Sequence, residues 1–540
     1  MTRAFARSHW IATCILACAP ALGQSPAAAV GPPTFDATDV RVSPPSANMF
    51  PFSRSGFRGG KYEMRSGTMI DLIRAAYSID PDKVLGGPSW LESQRFDVTA
   101  RAATATSYAN AMSMLQALLA DRFQLVIHKD TRPMPAYTLI LGKRKLQLKE
   151  PDRSTWSGCR SQPFRPPALG AAMPPQPVDC HNVTMSAFAE QIRRMAGGYL
   201  DKPVVDKTGV QGSWDLTVAW TARGQLGLAG SEGVSVFDAL EKIGLKLEPD
   251  TVALPVIVVD HVDRTPTPNA PDIAKILGET PPPTEFDVAD IKPSEPGSKN
   301  TMFQDRPGGR LDVKNMTLKS LIEFAWDTIP NLVVGGPKWI ASDHFDIVAK
   351  ASTGNSPAQY YQDFDTTRIM LRALLKERFK LTTHEETQTA GVYALLAPKR
   401  PPKFKKADEG SRTFCKSSPG AILGIPALTN SYTCQNTTLA DFARILRQLA
   451  GAYIDHPVID STELTGGWDF VLSWTGRGAF DRARGGRGEP GSSPNVPSAS
   501  DPNGAVSLFE ALEKLGLKLE LQKHPTQVLV IDHVERPSDN

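Results

Sequence analysis

The 540-residue sequence lacks a dominant charge, a second long apolar run and the short motifs of the common hydrolases. Its 60 basic residues face 57 acidic ones, and a net charge of +3 gives no field that would gather a polyanion. A nucleic-acid partner is therefore not expected. Beyond the first thirty residues no stretch approaches the ~18 apolar residues that cross a bilayer, so no transmembrane segment is expected in the mature chain. There is no Gly-x-Ser-x-Gly elbow, and His384-Glu385-Glu386-Thr387-Gln388 lacks the second histidine of a His-Glu-x-x-His zinc motif. A hydrophobic share of 41% with 22% charged residues indicates neither wholesale disorder nor a membrane-embedded chain.

Cysteine is equally scarce, and its placement is informative. Arg3, Arg7 and His9 precede an apolar run from Trp10 to Leu22, and Ala21-Leu22-Gly23 ends in a small residue suited to cleavage. Residues 1–23 read as a signal peptide, which predicts a periplasmic or secreted protein. Ile15-Leu16-Ala17-Cys18 offers the alternative of a lipoprotein signal, with the chain lipid-anchored if Cys18 is modified. Four cysteines remain: Cys159 and Cys180, then Cys415 and Cys434. Each pair encloses a Pro-rich loop of about 20 residues, and closing such a loop stabilises by ~3 kcal/mol on the chain-entropy model. Zinc is the alternative, but two cysteines per pair without paired histidines fall short of four ligands, so neither metal nor cofactor is expected.

What the sequence does contain is itself twice over. MLQALLADRFQLVIH (Met114–His128) returns as MLRALLKERFKLTTH (Met370–His384), identical at nine of fifteen positions. The flanking segments follow in the same order, giving a first repeat at 34–264, a Pro-rich linker at 265–284 and a second repeat at 285–540. A Gly/Ser/Pro-rich insertion at about 476–505 has a composition that predicts disorder. Pro281-Pro282-Pro283 predicts a semi-rigid spacer. Within each repeat, Thr68 or Thr317 is placed to cap a helix, Gly86-Gly87-Pro88-Ser89-Trp90 or Gly335-Gly336-Pro337-Lys338-Trp339 makes a turn, and Thr184 or Thr438 opens a further helix. Ser235 with Asp238 and Ser507 with Glu510 form capping boxes. The reading is an α+β fold with about four helices and about eight short strands per repeat, in small mixed sheets. Basic segments at Lys143, Arg144 and Lys145, and at Lys399, Arg400, Lys403, Lys405 and Lys406, read as solvated loops, with a patch for an acidic partner as the alternative.

Recurrence also nominates functional residues. His128 and His384, Asp97 and Asp346, Asp206 and Asp460, and the pairs Asp260-His261 and Asp532-His533 are kept in both copies. Strand neighbours point to opposite faces, so Asp532 is not expected to orient His533, and one of the two must face solvent or a different partner. His128 and His261 could meet as two metal ligands, although a histidine at a strand end is more often structural. Trp90, Trp214 and Trp220 recur as Trp339, Trp468 and Trp474, and an exposed indole could anchor a peptide or stack on a sugar, with core packing the plainer role. The binding candidates are thus Trp90, Trp339, His128, His384, Asp260, His261, Asp532 and His533, with no catalytic residue assigned.

The ordered set FDVADIKPS, GGPKW, FDIVAKA, MLRALLKERFKLTTH, VIDSTELTGGWDF, SLFEALEKLGLKLE and VLVIDHVERPS, present twice, resembles the exported bacterial family known as Domain of Unknown Function 3738. That resemblance implies a secreted or envelope protein of unestablished activity. Some relatives carry the domain beside a membrane metallopeptidase of the antibiotic-sensing type, which implies a sensory or protein-binding ectodomain; this chain lacks the peptidase segment, so such a role would act in trans. The expectation is a non-enzymatic binding or sensory module for another envelope protein, with a secreted hydrolase or a carbohydrate-binding protein as the alternative. The closing helix and strands also loosely resemble small domains at secretin and receptor N-termini.

Overall fold

A computed structural model describes residues 33–43, 54–152, 154, 156–163, 174–228, 232–277, 283–298, 300–306, 308–351, 364–398, 402–408, 410–418, 428–483 and 504–537. The expected signal peptide with Cys18, Pro281 and Pro282, Lys399 and Arg400, and residues 484–503 of the insertion lie outside them.

The first repeat opens with a four-stranded sheet in the order β1-β5-β3-β2, formed by β1 (Ala37–Val42), β2 (Arg54–Arg58), β3 (Lys61–Thr68) and β5 (Arg95–Arg101). Helices α1 (Met69–Tyr77) and α2 (Tyr108–Phe123) bury Met69, Leu72, Ile73, Leu115, Leu119 and Phe123 in one core with Phe96 and Val98 of the sheet. Between α1 and β5 runs the short β4 (Val84–Gly86). The second half repeats this plan: β8 (Gln176–Thr184) lies between β7 (Gly158–Ser161) and β10 (Ser213–Trp220), and α3 (Met185–Met195) and α4 (Val236–Lys242) enclose a second core. The short β9 (Val204–Asp206) follows α3 as β4 follows α1.

One local device starts the helix in every lobe. The strand before it bulges at a residue held at positive φ: Ser66, Asn182, Asn315 and Asn436. The N–H of each donates to a carboxylate on the adjacent strand, namely Asp97 (2.7 Å), Asp215 (2.7 Å), Asp346 (2.9 Å) and Asp469 (2.8 Å). Two residues later a threonine, Thr68, Thr184, Thr317 or Thr438, accepts from the N3 amide and caps the helix. Asp97 and Asp346, kept in both copies, therefore hold a bulge whose N–H has lost its ladder partner.

The two lobes of a repeat are fastened by a long ribbon. β6 (Val126–Leu141) leaves α2 in the first core and ends in the second, where Tyr137 and Leu139 are buried. β11 (Leu245–His261) leaves α4 in the second core and ends in the first, where Val259 is buried. They pair antiparallel along their length, with β4 added parallel to the end of β11 and β9 parallel to the end of β6. The second repeat has the same ribbon in Thr382–Leu396 and Lys518–His533, flanked by Val333–Gly335 and Val458–Asp460.

The fold is α+β in small mixed sheets, but the finer count differs from the expectation. Among the described residues eleven strands lie in residues 37–261 and twelve in residues 288–533, and the ribbon strands are 15 to 17 residues long. Segments that read as two short strands are single, because Pro133, Pro135 and Pro255 sit where the ribbon has no third strand to require their missing N–H. Among the described residues four helices lie in residues 37–261 and five in residues 288–533, with Ile273–Leu277 in the linker; the fifth, Arg477–Ala483, opens the insertion, anchored by the buried Phe480 against Tyr453. The linker begins as a docked segment, since Arg122 donates to Thr267 O (2.5 Å) and Asn269 Oδ1 (2.7 Å). Both expected disulfides are present, Cys159–Cys180 and Cys415–Cys434, and no described helix is long and apolar enough to cross a membrane.

The bulge device is testable at Asp346. Burial pushes this carboxyl up, but hydrogen bonds from Ser294 and the Asn315 N–H outweigh it and hold it below the ordinary value of 3.8. Its stabilisation is therefore present above that value and lost as pH falls through the lower native one. Asp346→Asn is expected to cost about 1–3 kcal/mol at pH 7 and progressively less below pH 4, read from urea unfolding of the full chain across pH.

Candidate functional site

The candidate residues gather at one end of each ribbon. On β11, Val258 faces His128 and Val259 faces Ile127, but the next paired residue is His261, opposite Val126. Asp260 is thus the extra residue of a bulge. Freed from alternation, its carboxylate turns across the ribbon to His128, with Nδ1 2.9 and 2.8 Å from its two oxygens. The second repeat does the same: Asp532 is skipped between Ile531 and His533, and its oxygens lie 2.8 and 3.0 Å from His384 Nδ1. Asp532 does find a partner other than His533. The sequence missed which one, because alternation holds only for an unbulged strand.

Both pairs are about half exposed. The hydrogen bond to Asp532 holds the His384 imidazole above its ordinary 6.5, with desolvation opposing and the charges of Asp532 and Glu386 adding. Nδ1 is committed, so Nε2 is the nitrogen left for a ligand or proton, and Glu386 stands 4.0 Å from it. His261 and His533 turn instead to Asp263 (3.2 Å) and Glu535 (2.8 Å), so the dyads are His–Asp and not His–His. Among the described residues no group of three or more His, Cys, Asp or Glu is placed to hold a metal. The tryptophans pack inward: Trp220 and Trp474 are buried, and Trp90, Trp214, Trp339 and Trp468 are partly buried against the four cores. Asp206 and Asp460 accept from Thr208 and Thr462 in local turns.

The Gly-Gly-Pro turn lies beside the dyad, since Gly86 pairs with Val259 and Gly335 with Ile531, each one residue before the bulged aspartate. Its two glycines require positive φ, at 66° and 73° in the first copy and 81° and 74° in the second. A Cβ on Gly87 would approach Leu91 to 2.6 Å. Trp follows with its ring edge on Phe96 or Phe345, and in the second copy Arg536 lies 4.9 Å over Trp339 while binding Asp343 (2.8 Å).

Here the two copies part. In the first repeat the turn is covered by the cystine hairpin of the second. Arg412 donates to Gly86 O (2.7 Å), the Thr413 N–H donates to Ser89 O (3.1 Å), and Glu92 pairs with Arg412 (3.6 Å) and Lys416. Glu92 is buried at 8% side-chain exposure. Burial lowers the Arg412 guanidinium, and Glu92 opposes that shift. A second contact joins Arg223 to Leu428 O (3.4 Å). In the second repeat the equivalent turn is uncovered: Gly336, Pro337 and Lys338 are exposed, whereas Gly87, Pro88 and Ser89 are half-buried. Glu92 has Ala341 as its counterpart, and Arg412 has Trp156. These positions differ between the copies, so recurrence does not mark them; the differences themselves carry the signal.

Two outcomes follow. Asp532→Asn is expected to bring the His384 ring titration down toward 6.5, followed by NMR of the imidazole protons. The pairing stabilises fully below that ordinary value and is lost as pH rises through the raised native one. Glu92→Ala leaves Arg412 and Lys416 facing an apolar stub and is expected to weaken docking of the repeats by about 2–5 kcal/mol. Hydrogen exchange should then accelerate at the Thr413 amide while core amides such as Leu446 keep their protection; unchanged exchange at Thr413 would refute the latch.

The profile of the family described as Protein of unknown function (DUF3738) matches residues 70–262 and again residues 319–534. No curated protein and no solved structure matches the chain. Each matched stretch begins in the first helix of a repeat and runs through the closing strand of its ribbon, so the chain belongs to the DUF3738 family as two tandem copies of its domain.

Proposed function

We propose that this protein is an exported, non-enzymatic binding module for another envelope protein, and that the uncovered Gly-Gly-Pro turn of its second repeat is the docking face. The observation that carries this reading is the first repeat's own turn, which grips a β-hairpin through two backbone carbonyls and a buried carboxylate. A surface that binds protein in one copy and is bare in the other is a natural place for a partner. Two cystines fit an oxidising compartment, consistent with export through residues 1–23 and with anchoring if Cys18 is lipidated. A membrane metallopeptidase-type sensor acting in trans is the kind of partner the family resemblance suggests.

The duplicated His–Asp pair favours a second reading, a hydrolase in which the carboxylate-oriented imidazole is a general base. Among the described residues His384 Nε2 faces the Glu386 carboxylate and not a hydroxyl or thiol nucleophile, and the binding reading is preferred. Glycan binding has less support, because the recurrent tryptophans are turned inward.

The test is cross-linked capture from the native cell envelope with the full chain, its Lys338→Glu variant and a Lys143→Glu control. At least one captured protein should be lost with Lys338→Glu and retained with the control. Identical captures from all three would remove the turn as the docking face.

A further inference from the structure

The charges around the two turns point to what the open one accepts, an inference that rests on the binding-module reading. In the occupied turn the contacts are of two kinds. Gly86 O and Ser89 O are backbone acceptors, indifferent to sequence, and Gly335 O and Lys338 O stand in the same places in the second copy. Glu92 supplies the other kind and selects a basic hairpin carrying Arg412 and Lys416. The second copy has Ala341 in place of Glu92 and Lys338 in place of Ser89, so the anion is gone and a cation has entered. The nearby Asp343 does not restore it, being engaged by Arg536.

We infer that the open turn of the second repeat receives a β-hairpin of a partner protein with acidic side chains where Arg412 and Lys416 stand in the internal interface. A second copy of this chain is a poor occupant. Its first turn is filled internally, and the hairpin it could offer, that of the first repeat, would bring Arg160 at the position of Lys416, toward Lys338. Arg160 is instead stacked at 4.2 Å on its own Trp156. Like charges at a docking face discriminate against wrong partners as effectively as opposite charges favour right ones. The chain thus closes one joint internally and presents a differently charged one outward.

The probes are two disulfide-closed peptides spanning residues 411–435, one native and one carrying R412E and K416E. Both are titrated against the full chain, its K338E variant and its K338S/A341E variant. The wild-type chain should bind the acidic peptide more tightly than the native one by about tenfold, the size expected of one desolvated charge contact. K338E should abolish that preference, and K338S/A341E, which installs the first repeat's chemistry, should reverse it. Equal binding of the two peptides to the wild-type chain overturns the inference, as does native-peptide binding to K338S/A341E with neither peptide bound by the wild type. Binding of no peptide by any of the three chains overturns it too, since the turn would then lack the docking capacity assigned to it. Lys338-dependent capture from the envelope with charge-indifferent peptides would leave the binding module standing and remove only the acidic partner.

Discussion

Every repeat depends on one pairing, between two strands that begin in different cores and end in each other's. Val126–Leu141 carries Tyr137 and Leu139 out of the first lobe into the second, and Leu245–His261 carries Val259 back, with Val262 just past its end. Neither core is complete until the chain has returned, which puts the closing contacts more than a hundred residues apart in sequence. Loop closure on that scale costs entropy that only long-range burial offsets. The unit that folds is therefore the whole repeat, and the two lobes are parts of it and not separable domains.

The ribbon also explains where the unusual chemistry sits. Its middle is two-stranded, and in the first repeat rich in proline, while each end acquires a third strand, and the transition is where pairing is easiest to interrupt. A bulge there turns Asp260 or Asp532 onto a histidine and leaves the Gly-Gly-Pro turn one residue away. Pairing of the turn strand to the ribbon fixes the backbone that presents Gly86 O or Gly335 O outward. Packing, ladder geometry and the docking face proposed for the second repeat meet at the same few residues.

Local chemistry was legible in the sequence. Thr68, Thr184, Thr317 and Thr438 announce their helices because a cap is a contact three residues long, and the capping boxes at Ser235 and Ser507 are read in the same way. The cystines paired as their spacing indicated. Three features were not legible, each for a physical reason. Continuity of the ribbon strands was hidden by Pro133, Pro135 and Pro255, which break a strand only where a neighbour needs the N–H. The bulges at Asp260 and Asp532 add no residue type that alternation rules detect. The latch at Glu92 joins residues 320 positions apart and exists in one copy alone.

That last asymmetry bears on how a duplicated chain acquires a function. Two identical repeats joined head to tail through one patch would expose the same pair of complementary surfaces at their ends, and such heterologous contacts propagate into open arrays. Replacing the Glu92 carboxylate with Ala341, adding Lys338, and holding Arg160 against Trp156 breaks the complementarity at the ends while Glu92, Arg412 and Lys416 preserve it at the joint. On the proposed reading, the divergence that disfavours head-to-tail growth is the same divergence that gives the outer turn a charge of its own. One pair of substitutions would serve both ends, because a docking face that no longer fits its sibling is free to fit something else.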